Sequence, residues 1–206
     1  MNLSSFLRGL AIGLSIAAPV GPIGVLCIRR TLADGRAIGF ASGLGAATAD
    51  ALYGAVAAFG LSLVTNALVD QRLWLQAGGG IFLCYLGVRT WMAVPGVASG
   101  PMAGGRGLMA AWASTFALTL TNPATIISFA AIFAGLGLGQ NVGGYGAAAL
   151  MVLGVFLGSA LWWLMLSTGV GLLRSAFTPE RLRWVNRGAG VIIAAFGVAA
   201  LVSLKL

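Results

Sequence analysis

The chain has 206 residues, 59% of them hydrophobic and 8% charged, with 12 Lys and Arg, 4 Asp and Glu and a formal net charge of +8. A soluble domain has about a quarter of its residues charged, so this chain cannot cover its own surface against water. A soluble globule, a disordered tail and a water-exposed coiled coil are excluded, which leaves an integral membrane protein whose helices satisfy their own backbone groups.

The missing residue types exclude chemistry as well. There is no histidine, so His-based triads and His-ligated zinc or haem sites cannot be built. Cys27 and Cys84 stand alone in apolar runs and read as small core residues rather than a disulfide or redox pair. The acids are Asp34, Asp50, Asp70 and Glu180, too few for an enzyme built on paired carboxylates. A Ser or Thr nucleophile without His needs a buried Lys, and Lys205 is terminal. The sequence therefore predicts neither an enzyme nor a metal or cofactor site. The arginines punctuate apolar segments instead of forming a patch, so they imply anionic lipid headgroups as partners and not nucleic acid.

A helix that spans a bilayer needs about 20 mostly apolar residues. Polar breaks divide the chain into six such stretches, at 5–28, 38–64, 73–93, 108–134, 145–173 and 188–204. The first has no basic leader and no small-residue cleavage site, so it reads as a retained helix and not a signal peptide. Near its middle stands Ala18-Pro19-Val20-Gly21-Pro22. Each proline removes a helix hydrogen bond and clashes with the carbonyl four residues back, so Pro19, Gly21 and Pro22 are candidate helix-break and gating residues.

After the connection Arg29–Arg36, the second stretch carries Gly39-x-x-x-Gly43 and then Asp50 near its centre. A charged Asp at that depth costs about 2.5–3.5 kcal/mol on insertion scales. Thr48 and Tyr53 are close to it, and Gly43, Ala46, Ala47, Gly54 and Ala57 give its surroundings small side chains. Small residues let helices approach, which turns Asp50 toward a packed interior or narrow cavity. A carboxyl group there can coordinate a cation or take up and release a proton; it can also be a protonated cross-link between helices. Asp34, Asp70 and Glu180 fall in connections.

The third stretch opens on Gly78-Gly79-Gly80, which no Lys-Ser/Thr follows, so it is not a phosphate loop. The fourth contains Thr121-Asn122-Pro123-Ala124-Thr125. Asn before Pro is the N-cap and first-turn signature of a new helix, whose free N–H groups suit a carboxylate. Around the two breaks lie Ser15, Thr119, Thr121, Asn122, Thr125 and Ser128, a set able to line a site for a small zwitterion. The fifth stretch has Gly154-x-x-x-Gly158 and Trp162-Trp163, of which Trp163 is a candidate gate or cation–π wall, or part of the core. Arg181, Arg183 and Arg187 precede the last stretch as headgroup anchors.

Both breaks fall near the middle of the first helix of a three-helix half, at about 1–93 and 108–206. Three helices per half give the halves opposite orientation, so the expected fold is an all-α bundle of six transmembrane helices in two inverted repeats, one domain over 1–206. Such a pattern places a transporter's site at the breaks. Arg29, Arg30, Arg36, Arg89, Arg106, Arg174, Arg181, Arg183 and Arg187 lie on the odd connections or the helix ends beside them, against Arg8, Arg72 and Lys205 opposite. The positive-inside rule then puts both termini outside. The glycine faces permit a homodimer, and equally permit packing within one chain.

The runs Pro19-Val20-Gly21-Pro22-Ile23-Gly24-Val25-Leu26, Arg29-Arg30, Asp34-Gly35-Arg36, Gly43-Leu44-Gly45 with Asp50, Asn122-Pro123 and Gly158-Ser159-Ala160-Leu161-Trp162-Trp163 resemble the LysE/RhtB family of amino-acid exporters, over essentially the whole chain. The resemblance implies an inner-membrane exporter of amino acids or related metabolites driven by the proton gradient, with the Gly21-Pro22 break, Asp50 and the Asn122-Pro123 break at positions that matter in the family. The expected substrate and proton residues are then Asp50, Asn122, Tyr53, Thr121 and Thr125, with Pro19, Gly21, Pro22, Pro123 and Trp163 at the breaks and gate. A metal or inorganic-ion exporter on the same plan is the alternative, and it is poor in ligands.

Overall fold

The computed structural model describes residues 2–19, 21–59, 72–93, 105–122, 125, 129, 144–176 and 178–205. Among them there is no strand. They form α1 (Asn2–Ala17), α2 (Pro22–Asp34), α3 (Arg36–Ala58), α4 (Arg72–Trp91), α5 (Gly105–Leu120), α6 (Tyr145–Leu172) and α7 (Pro179–Val202), with short 3-10 turns at Arg174–Ala176 and Ser203–Lys205.

Two helical stretches, Tyr145–Ala176 and Pro179–Val202, are long and apolar enough to cross a membrane. The pair Leu3–Ala17 and Pro22–Asp34, bent by 79°, makes a third if it is one span. α3 is long enough but is built largely from Ala and Gly around Asp50, which trades hydropathy for close packing. In the fourth expected span the continuous helix α5 ends at Leu120, and beyond it only 121, 122, 125 and 129 are described. Pro123, Ser128 and most of 123–143, and the end of the second expected span from 60 onward, lie outside the described residues, as does Asp70.

The first helix divides where the prolines predicted. α1 closes with Ala18 N–H donating to Leu14 O (3.0 Å), and α2 starts at Pro22 with Gly21 as its extended N-cap. Proline suits a helix's first turn because its missing N–H has no partner there anyway. The next boundary differs from the expected connection over Arg29–Arg36. Those residues are helical except for Gly35, which turns the chain in one step at φ 103°. Arg, Leu and Ala are strong helix formers, and only the glycine adopts a backbone angle that a side chain would strain. Three polar contacts fix this end of α2. Arg174 donates to Leu32 O (3.0 Å) and Ala33 O (3.2 Å), carbonyls that the helix end leaves without intrahelical partners. Arg29 Nε donates to Asn186 Oδ1 (3.1 Å), whose amide nitrogen donates to Ala93 O (3.1 Å).

α3 is the central helix, packed against α2, α5 and α6. α1 lies on α6 and α4 on α7. Glycines allow these approaches: a Cβ added at Gly158 would come 3.0 Å from Leu14 N, and one added at Gly197 would come 2.8 Å from Gly80 O. The facing residues give the relative directions. Gly9 meets Met151 and Gly13 meets Val155, so α1 and α6 are parallel. Gly45 meets Trp112 and Tyr53 reaches Leu120, so α3 and α5 are parallel too. Gly43 meets Trp163 and Gly54 meets Val155, so α3 and α6 are antiparallel. Gly80 with Gly197 and Gly87 with Gly190 make α4 and α7 antiparallel.

Candidate functional site

Asp50 is 3% exposed, in the face of α3 that packs on α6. Ser159 Oγ donates to Asp50 Oδ2 at 2.7 Å, and the same hydroxyl accepts from Trp163 Nε1 at 3.2 Å. An indole nitrogen only donates, so its bond to Ser159 turns the hydroxyl proton toward Asp50. Trp163, 5% exposed, thus fixes the polarity of a chain of hydrogen bonds that ends on the buried carboxyl group. Ser159 and Trp163 are one helical turn apart, which places them on one face of α6.

Tyr53 lies one turn beyond Asp50 and is also buried. Its hydroxyl donates to Leu120 O at 2.6 Å. That carbonyl belongs to the last residue of α5, where the intrahelical acceptors lose their partners, so Tyr53 ties the helix of Asp50 to the point where α5 ends. The Tyr53 ring also faces Phe129, 5.5 Å between centroids.

The break between α1 and α2 adjoins the same region. Ala17 and Ile23, one on each side of the break, share an apolar cluster with Ala46, Ala47 and Trp163. Ile12 shares a second cluster with Tyr53, Phe129 and Val155, against which Ile16 packs. Asp50 falls between the parts of α3 that enter these two clusters. A Cβ at Gly21 would meet nothing within 4 Å, so there is open space beside the break. Pro22 is buried and Pro19 exposed.

The other expected site residues divide. Thr121 follows α5 in a turn, where its hydroxyl bonds back to Ala117 O (3.0 Å). Asn122 N–H donates to Thr119 O (3.2 Å), and Thr125 N–H donates to Asn122 O (3.1 Å). Thr125 is buried and helical, while Ser15 is exposed. Thr48, expected near Asp50, instead accepts from Trp112 Nε1 (3.3 Å) on the α5 side, because two residues along a helix turn it to the opposite face. Asp34 is the last residue of α2, and Glu180 is exposed in the first turn of α7.

Sequence reasoning missed two partners. Ser159 entered only as part of a motif, although its spacing of four from Trp163 and its neighbour Gly158 mark a close-packed face. Arg30 was placed in a connection, yet it is half-buried and bonds across to α3 and α5. Among the described residues no three His, Cys, Asp or Glu side chains come together in a way that could hold a metal ion.

Residues 14–204 match the family described as LysE type translocator. The chain belongs to this family. A translocator with long apolar helices is a membrane protein, in accord with the composition. The chain is 30% identical over 201 residues to a Bacillus subtilis (strain 168) protein named "Putative amino acid efflux protein YcgF", covering 96% of this translocator and 94% of that one. It is 26% identical over 161 residues to the threonine efflux protein of Salmonella typhi, and 23% identical over the same length to that of Escherichia coli (strain K12). Those two matches cover 74% of this chain and 75% of each relative. No solved structure gives a significant match.

Proposed function

We propose that this translocator exports amino acids or closely related metabolites across the bacterial inner membrane, in exchange for protons that bind at Asp50. The observation that carries the proposal is the buried Asp50 carboxyl group, held by Ser159 of α6 at 2.7 Å and one turn from the tie between Tyr53 and Leu120. A carboxyl group at this depth, hydrogen-bonded to a neutral hydroxyl, is an expensive feature unless it serves an exchange. In the proposed cycle Asp50 alternately holds a proton and the substrate ammonium, with Tyr53, Thr121, Asn122 and Thr125 around the solute. The breaks at Pro19, Gly21 and Pro22 and at Pro123, together with Trp163, let the site open to either side.

The helix directions favour two inverted halves. Six alternating spans require the first and fifth to be parallel, as are the second and fourth. They also require the second and fifth, and the third and sixth, to be antiparallel. The four pairings whose facing residues give a direction obey this, and exchanging the halves turns the α1–α6 contact into the α5–α3 contact. With six spans, the distribution of arginines favours both termini outside. A homodimer through the remaining glycine faces is compatible with this arrangement. The amino-acid efflux relatives favour an amino-acid solute over a metal ion.

The test is transport by the purified protein in proteoliposomes, with threonine as the first solute and an imposed pH gradient. The wild type should move threonine against its gradient with counterflow of protons, and Asp50→Asn should abolish this exchange. Intact coupled transport by Asp50→Asn would refute the role of Asp50.

A further inference from the structure

A second polar centre lies toward the other end of α3, built on Arg30 of α2. Its Nη1 donates to Ser42 Oγ (2.8 Å), Thr115 Oγ1 (2.9 Å) and Ala111 O (3.1 Å), and its Nη2 donates to Ser114 Oγ (2.9 Å). The three hydroxyls each pass their own proton to a main-chain carbonyl, Ser42 to Ile38 and Ser114 and Thr115 to Ala111. They therefore meet Arg30 purely as acceptors. Ser42 and Thr115 are fully buried. The guanidinium is thus gripped by neutral oxygens on two helices, α3 and α5, and among the described residues no carboxylate forms an ion pair with it. Asp34, one turn on, acts on it electrostatically, but a half-buried cation held mainly by neutral oxygens is still costly.

The grip is lopsided. Nη1 is engaged by three acceptors, whereas the bonds given to Nη2 leave one of its hydrogens, and Nε–H is in none of them. Arg30 is only half-buried, and this edge carries the hydrogens that those bonds leave over, so it is the side from which the proposed ligand approaches. Nε–H and Nη2–H form the parallel fork that fits a carboxylate with two bonds. Arg29 and Arg174 lie at the same end of α2 and add to the positive potential that draws anions in.

We infer that Arg30, cradled by Ser42, Ser114 and Thr115, binds the carboxylate of the exported solute before the ammonium reaches Asp50. This inference rests on the transport reading and narrows its substrate class to solutes bearing a carboxylate. Ser42 and Asp50 are eight residues apart on α3, about 12 Å along the axis at 1.5 Å per residue. An amino acid, whose ammonium and carboxylate share one carbon, cannot touch both centres at once. Arg30 is therefore an intake site on the basic side, distinct in time from Asp50.

Threonine and threonine amide, which differ in the carboxylate alone, separate this from a structural role. In proteoliposomes, Arg30→Gln should lower kcat/KM for threonine about ten-fold or more, since a hydrogen-bonded charge is lost, while threonine amide changes less than two-fold. Arg30→Lys and Ser114→Ala, which keep a charge or the guanidinium and so guard against a misfolded variant, should fall between. Equal losses for both solutes would overturn the inference and make Arg30 a cross-link between helices. A binding arm keeps the two readings apart: threonine, but not its amide, should raise the unfolding temperature of the detergent-purified wild type and not of Arg30→Gln. If threonine stabilises the wild type without being transported, the transport reading fails and the carboxylate site stands. If threonine stabilises neither protein, the carboxylate site fails.

Discussion

Ser159 donates its hydroxyl proton to Asp50 across the junction of α3 and α6, at 2.7 Å, and it is held to that role by the indole of Trp163 behind it. The pair joins residues 109 positions apart, so the group proposed to carry the proton is positioned by the second half of the chain. Removing the hydroxyl leaves both the carboxyl oxygen and the indole N–H without this partner.

Ser159→Ala should therefore impair coupling more than folding. A buried polar group deprived of its partner costs about 1–3 kcal/mol. Threonine-dependent proton flux in proteoliposomes is expected to drop at least about ten-fold, with expression and detergent-solubilised monodispersity kept. Ser159→Thr, which retains the hydroxyl, should recover part of the flux. Unchanged flux in the alanine variant would remove Ser159 from the proposed cycle.

Tyr53→Phe tests the tie to the end of α5. The ring and its contact with Phe129 remain, and only the 2.6 Å bond to Leu120 O is lost. A single hydrogen bond contributes about 0.5–1.5 kcal/mol net, so the melting temperature in detergent should fall by a few degrees at most. The expected functional sign is a raised KM for threonine. A variant that transports like wild type with a lowered melting temperature would make the bond structural alone.

The parts of this arrangement legible in the sequence are those that local chemistry dictates. Pro19 and Pro22 dictate a break wherever the helix runs, and Asp50 is conspicuous because apolar residues surround it. Composition required helices. What could not be read is which faces meet. Ser159 and Asp50 are brought together by the antiparallel crossing of α3 and α6, and no local pattern in either segment states that crossing. Thr48 shows the same limit from the other side, since proximity along the chain suggested a neighbour of Asp50 while helical geometry turned it toward Trp112. Arg30 was misplaced for a third reason. A run of charge reads as a connection, but Ser42, Ser114 and Thr115 supply enough oxygens to keep the guanidinium inside a continuing helix.

Gly35→Ala addresses the sharp turn between α2 and α3. At φ 103° an alanine is strained, and residues held in such regions cost about 1–3 kcal/mol. The Arg174 side chain is 3.5 Å from the position of a new Cβ, so the penalty is conformational and not steric. The expected result is a lower melting temperature that Arg174→Ala lowers further by releasing Leu32 O and Ala33 O. A melting temperature equal to wild type would mean that the turn relaxes without cost.

Gly158→Val probes the contact on which the parallel pairing of α1 and α6 depends. A Cβ at this position would lie 3.0 Å from both Leu10 C and Leu14 N, backbone atoms of a helix that cannot yield as a flexible side chain would. Overpacking a close contact costs about 1–3 kcal/mol and forces backbone shifts, and here the shift would displace α1 just before its break. Gly169 is the control on the same helix, because a Cβ there meets nothing within 4 Å. Gly158→Val should therefore lower both the folded yield and threonine transport, while Gly169→Val leaves both near wild type. Because Ser159 is the next residue, a weaker substitution, Gly158→Ala, separates the two effects. It should reduce stability in detergent, and it should reduce transport only to the extent that α6 moves Ser159 away from Asp50.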